Sequence, residues 1–271
     1  MNKIETCKKC TNRKFDRNKG IVCGLTGAKP TFEATCLDFK IDESIDKIDT
    51  KLIRPNYQRA KTAILLVGFI LILDLISLVS DFFEYKLLKL AQIGELITEE
   101  MVNSNDTRQQ IVGIFYLIVY FISVITFIQW FRRAYYNLHQ RIKYCSQSEG
   151  WATGSWFVPI ICLYKPYQIM KEMWKETTGL LVNKIENYTN NYNISVIGWW
   201  WTLWIISSYV GNFVMKSTFK SETVDELINS SIASMILSLI GIPLALLTIK
   251  MIKDYSIMEQ TLMDKELEIN N

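Results

Sequence analysis

Between positions 111 and 131 the chain runs for 21 residues without one charged side chain, and no other feature limits the fold as strongly. At a rise of about 1.5 Å per residue, such a run crosses the ~30 Å hydrocarbon layer of a bilayer once as a helix. Three further blocks share its character. Residues 62–83 carry only Asp74 and Asp81 as charges, 194–214 include Trp199, Trp200, Trp201 and Trp204, and 231–251 contain Pro243 and reach Lys250. The apolar residues lie in continuous blocks and do not recur every three or four positions, which is the pattern of lipid-facing helices and not of a water-soluble bundle. The expected fold class is an all-α polytopic membrane protein. Its four transmembrane helices, at about 62–83, 111–131, 194–214 and 231–251, form a domain over 59–254.

A fifth apolar stretch, 151–164, holds only 14 residues and includes Gly154 and Pro159. It is too short to cross as a regular helix and is expected to be re-entrant or interfacial, packed against the bundle. Of the 30 Lys and Arg residues, 25 precede the first block, separate the second from the third, or follow the fourth. The positive-inside rule then places those segments, with both termini and a tail over 255–271, in the cytoplasm. The first ten residues are polar with no apolar run behind them, so no cleavable signal peptide is expected and the first block serves as its own insertion signal. These features point to the cytoplasmic membrane, with the lipid bilayer as the principal partner.

Several chemistries are set aside by composition. A net charge of +3, scattered along the chain, offers no clustered basic face for nucleic acid. His139 is the single histidine, so no His-based triad, haem site or multi-His metal site can be assembled. No Gly-rich phosphate loop or nucleophile motif is present, and no enzymatic activity is expected.

The six cysteines divide sharply. Cys7, Cys10, Cys23 and Cys36 lie near the N-terminus, and Cys145 and Cys162 lie between the second and third blocks. In a reducing cytoplasm, four clustered cysteines read as thiolate ligands before disulfides. Cys7-x-x-Cys10 supplies two ligands of a tetrahedral zinc site from one tight turn, and glycines at 20, 24 and 27 let the chain return so that Cys23 and Cys36 complete it. A piece of this size buries too little apolar surface to fold alone, so zinc would be structural, and its binding linked to folding. The expectation is a zinc-ribbon-like module over 1–41, followed by a linker over 42–58.

The run Arg132-Arg133-Ala134-Tyr135-Tyr136-Asn137 and the later Trp156-Phe157-Val158-Pro159 are the most distinctive in the chain. Here the sequence resembles a bacterial membrane family catalogued as domain of unknown function 4328. That family is marked by an Arg-x-Ala-x-x-Asn-like motif, matched by Arg132, Ala134 and Asn137, and a Gly-Trp-Phe-Val-Pro-like motif, matched by Trp156, Phe157 and Pro159. The resemblance covers roughly 59–254. It implies the four-span layout and brings no activity with it.

Two readings of the remaining polar residues stay open. Arg133 and Asn137, four apart, share a helix face, with Arg132 and Tyr136 on an adjacent one. They can hold a lipid phosphate, a carboxylate, or the free carbonyls of 151–164. Asp74, about 18 Å into the first span, is costly at that depth. It serves either a polar path or, protonated, as interhelical glue to Tyr120, Ser123 or Ser238. Residues 169–176 read as an amphipathic helix that lies on the membrane or docks a partner. The leading expectation is a non-enzymatic sensor or scaffold in which the cysteine module and this helix engage a cytoplasmic protein partner. The alternative is a small permease or channel using Asp74 and residues 132–164 as its polar path.

Overall fold

The structure, a computed structural model, describes residues 6–7, 10–16, 20–32, 35–42, 52–186, 188–189, 192–218 and 223–270. Residues 43–51, most of the expected linker, lie outside the described residues. The chain divides into two compact units, one of residues 1–52 with 140–143 and one of 53–139 with 144–271.

The smaller unit is built on a β-hairpin. Strand β1 (Arg13–Asp16) pairs antiparallel with β2 (Gly20–Cys23) so that Arg13 stands opposite Cys23. A later segment returns to the start of the hairpin: Cys10 forms a bridge with Ile41, and the Thr11 N–H donates to the Lys40 carbonyl at 2.8 Å. The Arg13 guanidinium closes the unit on Asp42 at 2.7 Å, with its side chain almost wholly buried.

The larger unit is helical. In order it holds α1 (Tyr57–Gln92), α2 (Glu99–Arg141), the single turn α3 (Trp151–Gly154), a 3-10 turn (Ile161–Leu163), α4 (Lys165–Lys184), α5 (Ser195–Thr218) and α6 (Val224–Asn270). Local chemistry sets the ends. Gly94, at φ 78°, ends α1 in a Schellman turn, with Glu95 N–H donating to the Leu90 carbonyl and Gly94 N–H to that of Ala91. The Thr98 hydroxyl caps α2 through the Met101 N–H. At the start of α6, Thr223 and Glu226 exchange side-chain to backbone bonds at 3.2 and 3.3 Å, a capping box.

Among the described residues three helices, α1, α2 and α6, are long and apolar enough to cross a membrane. Their flanks carry exposed Leu65, Phe69, Ile118, Phe121, Ile236 and Leu239. Apolar side chains of this size, left bare along three helices, are the surface that acyl chains cover. The expected third span, α5, is not among the three. Its tryptophans, with Thr202, Ser207, Ser208 and Asn212, dilute its hydropathy.

Helix α6 is the spine, packing along α1 and α5 and against α4. Its buried face repeats every seven residues, through Ser231, Ser238, Ala245, Ile252, Glu259 and Glu266. That period is the signature of a helix held against a neighbour over its whole length. Opposite it, α1 buries Ala60, Val67, Asp74 and Asp81 at the same spacing. At 47 residues α6 is about 70 Å long, more than twice the hydrocarbon thickness. The segment expected as a tail from 255 is therefore its continuation, with Tyr255, Met258 and Leu262 buried.

Helix α4 differs from expectation too. Its apolar face, Ile169, Met170, Met173, Trp174 and Leu181, is fully buried, so it is spent on the core and not free to lie on a membrane or dock a partner.

Candidate functional site

The four N-terminal cysteines carry free thiols; Cys10 lies before β1 and Cys23 at the end of β2, and the Cys10 thiol reaches the carbonyl of Asp38, two residues beyond Cys36. Cys7 and Cys10 form a tight turn, Cys10 N–H donating to the Cys7 carbonyl at 3.2 Å and Arg13 N–H to the Cys10 carbonyl at 3.3 Å. Cys23 ends β2 and begins a second turn, closed by Gly27 N–H on its carbonyl at 2.7 Å. Gly24 is required there, because a Cβ would stand 2.8 Å from the Asn12 carbonyl oxygen. Cys36 begins a third turn, its carbonyl accepting from Phe39 N–H at 3.2 Å.

Burial raises the Cys7 thiol above its ordinary value, and the charges of Cys10, Cys36 and Cys23 push it further. The Cys23 thiol is lowered, chiefly by the backbone N–H of Leu25 and then that of Thr26. Amides aimed at a sulfur favour its thiolate form. Among the described residues, however, no three His, Cys, Asp or Glu side chains are gathered closely enough to hold a metal ion.

Asp74 lies at 2% exposure between α1, α2 and α6. Its partner is Tyr116, one helical turn before the expected Tyr120, whose hydroxyl donates to Oδ1 at 2.9 Å. Oδ2 is buried without a hydrogen-bond partner among the described residues. A Cβ on Gly241 would fall 2.6 Å from that oxygen, so α6 must carry glycine where it passes the carboxyl.

Further polar contacts join α1 to α6. Toward one end the Ser231 hydroxyl donates to the Asp81 carbonyl at 3.0 Å. Toward the other, Glu259 accepts from Asn56 Nδ2 at 3.0 Å and from Asn137 Nδ2 at 2.6 Å, all three side chains buried. Asn137 also reads the backbone of Arg54, accepting its N–H at 3.0 Å and donating to its carbonyl at 2.8 Å. Of the three partners expected for this face, Asn137 takes a carboxylate, that of Glu259, and so joins α1, α2 and α6. Glu259 and Asn56 were missed; the one signal for Glu259 was its place in the seven-residue series on α6.

That stretch is held by aromatic packing. Trp156 stands edge-on to Phe127 at 5.5 Å, Phe131 at 5.8 Å and Trp204 at 5.9 Å, while Trp204 stacks on Trp201 at 4.7 Å. Trp201 Nε1 donates to the Leu163 carbonyl at 3.0 Å, the service expected of the arginines. Trp200 and Trp201 are therefore core residues, and only Trp199 faces outward. Pro159 opens a γ-turn in which Ile160 adopts φ 66°, ψ −47° and Ile161 N–H reaches the Pro159 carbonyl at 2.7 Å. A branched side chain in that region stores about 1–3 kcal/mol of strain, and it leaves Phe157 and Ile160 bare. Arg132 lies at the surface and pairs with Glu149 at 3.6 Å.

The loop after α2 is fastened to α4 by Glu172, which accepts from the Tyr135 hydroxyl at 2.9 Å and the Ser146 hydroxyl at 2.7 Å. Beside it burial, followed by the negative charge of Glu172, pushes the Cys145 thiol up to about 12. That thiol is a packing group and not a nucleophile at neutral pH.

No curated protein and no solved structure matches the chain. A family model described as a domain of unknown function (DUF4328) matches residues 94–256, from the turn before α2 to well along α6. The range begins after the first span and leaves out the cysteine head, but it contains Arg132, Ala134 and Asn137 with Trp156, Phe157 and Pro159. Those residues fall in the α2 junction and the aromatic clamp just described. With more than half of its length inside that match, the chain belongs to the DUF4328 family.

Proposed function

We propose that this protein is a non-enzymatic membrane-anchored sensor or scaffold whose N-terminal head is a structural zinc site that engages a cytoplasmic protein partner. What supports the reading is placement: Cys10 and Cys23 flank the open end of the hairpin, and Cys10 Sγ reaches the carbonyl of Asp38, two residues beyond Cys36. Four thiolates are the full ligand set of a closed structural zinc, which leaves no position for a catalytic water. Cys7, Cys10, Cys23 and Cys36 would draw together on the ion, and the amides of Leu25 and Thr26 would stabilise the Cys23 thiolate.

In this reading α5 is the fourth span. Its 24 residues reach about 36 Å, no charge precedes Lys216, and Trp199, Tyr209 and Phe213 face outward. Both termini then lie in the cytoplasm of a bacterial cell. What favours this over a permease is the setting of Asp74. It is clamped by Tyr116 and by the bare backbone of Gly241, which suits a pin between helices better than a stop on a polar path.

Topology is tested in intact cells with a membrane-impermeant thiol probe. Leu96→Cys should label from outside and Glu268→Cys should not; the reverse pattern would overturn the orientation. Function is tested by purifying the full chain with and without Cys7→Ser/Cys10→Ser after crosslinking in native membranes. One zinc per chain and a crosslinked soluble partner are expected for the wild type, with both lost in the variant. A wild-type chain without zinc would remove the metal, and an unchanged crosslinking pattern in a zinc-free variant would remove the scaffold role.

A further inference from the structure

Three arginines gather where the charge-free stretch of α2 ends. Gln129, Arg133 and Asn137 stand four residues apart and so form one stripe on α2. Arg59 Nη1 donates to the Gln129 carbonyl at 3.1 Å, at one end of the stripe. The Arg54 backbone is held by Asn137 at the other end, and the Arg54 guanidinium lies over the Tyr136 ring, 4.7 Å from its centroid. Arg133 sits between them. Arg59 and Arg54 are the like charges acting on it, and Glu259 acts with the opposite sign.

Several other cations of this unit have carboxylate partners. Arg132 pairs with Glu149, Lys184 with Glu266 and Lys250 with Asp254. Among the described residues, none of Arg54, Arg59 and Arg133 has a carboxylate within ion-pair distance. Guanidiniums brought together repel, and an anion placed among them relieves that repulsion. Their flat forks match the oxygens of a phosphate group. The depth fits as well. The cluster begins where uncharged helix gives way to polar chain, at the headgroup layer, and exposed Leu65 and Ile125 flank it on the apolar side.

We propose that Arg54, Arg59 and Arg133 form a binding site for a phosphate group at the membrane surface, of the kind carried by an anionic phospholipid. The site does not depend on what the cysteine head binds.

The test uses the full chain in nanodiscs of phosphatidylcholine alone, with added phosphatidylglycerol, or with inorganic phosphate. Thermal unfolding and the lipid retained in native mass spectrometry are the readouts. The wild type should be stabilised by phosphatidylglycerol and retain it, an effect that weakens with salt. Arg59→Gln/Arg133→Gln should lower apparent affinity by about tenfold or more, while Lys61→Gln/Arg132→Gln, with as many charges removed at the same end, should change it less than about twofold. Stabilisation by phosphatidylglycerol alone names a lipid ligand, and equal stabilisation by inorganic phosphate names a soluble one; either keeps the site. Equal losses in the two double variants, or no stabilisation of the wild type by either anion, would overturn it. Should the first double variant fail to fold, Arg133→Lys keeps the charge without the fork, and wild-type affinity in that variant would equally count against it.

Discussion

A chain ending at Asp254 is expected to yield no stably folded protein, although the cut removes only what reads as a tail. At about 70 Å, α6 is more than twice as long as the hydrocarbon layer is thick, and on any part of it outside that layer burial of apolar surface drives folding as it does in a soluble domain. Tyr255, Met258 and Leu262 are each at or below 1% exposure. Full burial of such a side chain contributes about 1.5–3 kcal/mol, so three together approach the 5–15 kcal/mol that roughly bounds the stability of a whole domain. The cut also removes Glu259, leaving the amides of Asn56 and Asn137 without their shared carboxylate. Each buried donor left unpaired costs about 1–3 kcal/mol. The measurement is the yield of monodisperse protein and its unfolding midpoint in detergent, compared with a chain ending after Leu267. If the Asp254 truncation melts within a few degrees of that longer chain, the packing of α6 beyond the membrane is not what holds the helices together.

Gly241→Leu is expected to separate α6 from α1 and cost about 1–3 kcal/mol or more, as overpacking of a tight helix contact does. Any Cβ there falls 2.6–3.0 Å from three atoms of the Asp74 carboxyl, and Asp74 cannot rotate away without breaking its bond to Tyr116. Because the clash is with one side chain, the effect should be non-additive. In an Asp74→Ala background Gly241→Ala should cost markedly less than in the wild type, a coupling within the roughly 0.5–3 kcal/mol range of neighbouring sites. Thermal or denaturant unfolding of the four proteins measures it, and strictly additive costs would mean that Asp74 and Gly241 do not meet.

These expectations show where the sequence was readable. The uncharged stretch at 111–131 could only be a buried or lipid-facing helix, and α2 contains it. Asp74 announced itself by depth alone, since a carboxylate in hydrocarbon must find a partner. Its choice of Tyr116 over Tyr120 depended on how α2 is rotated about its axis, which a run apolar on every side does not reveal. The 169–176 helix was recognised as amphipathic, but an amphipathic face says only that something covers it. Here that cover is other helices of the same chain. The composition of the α5 tryptophans suits an interfacial belt, but Trp200 and Trp201 are core, and Trp201 and Trp204 meet Trp156 edge-on.

What the sequence determined by itself is the all-α class and the long apolar helices α1, α2 and α6, because hydrocarbon forbids unpaired backbone. What only the tertiary structure decided is which polar groups meet. Asn56 and Glu259 are 203 residues apart along the chain, and no local pattern links them. Their bond exists because two long helices lie antiparallel in one register, and that register is set by small residues and steric fit along the whole seam.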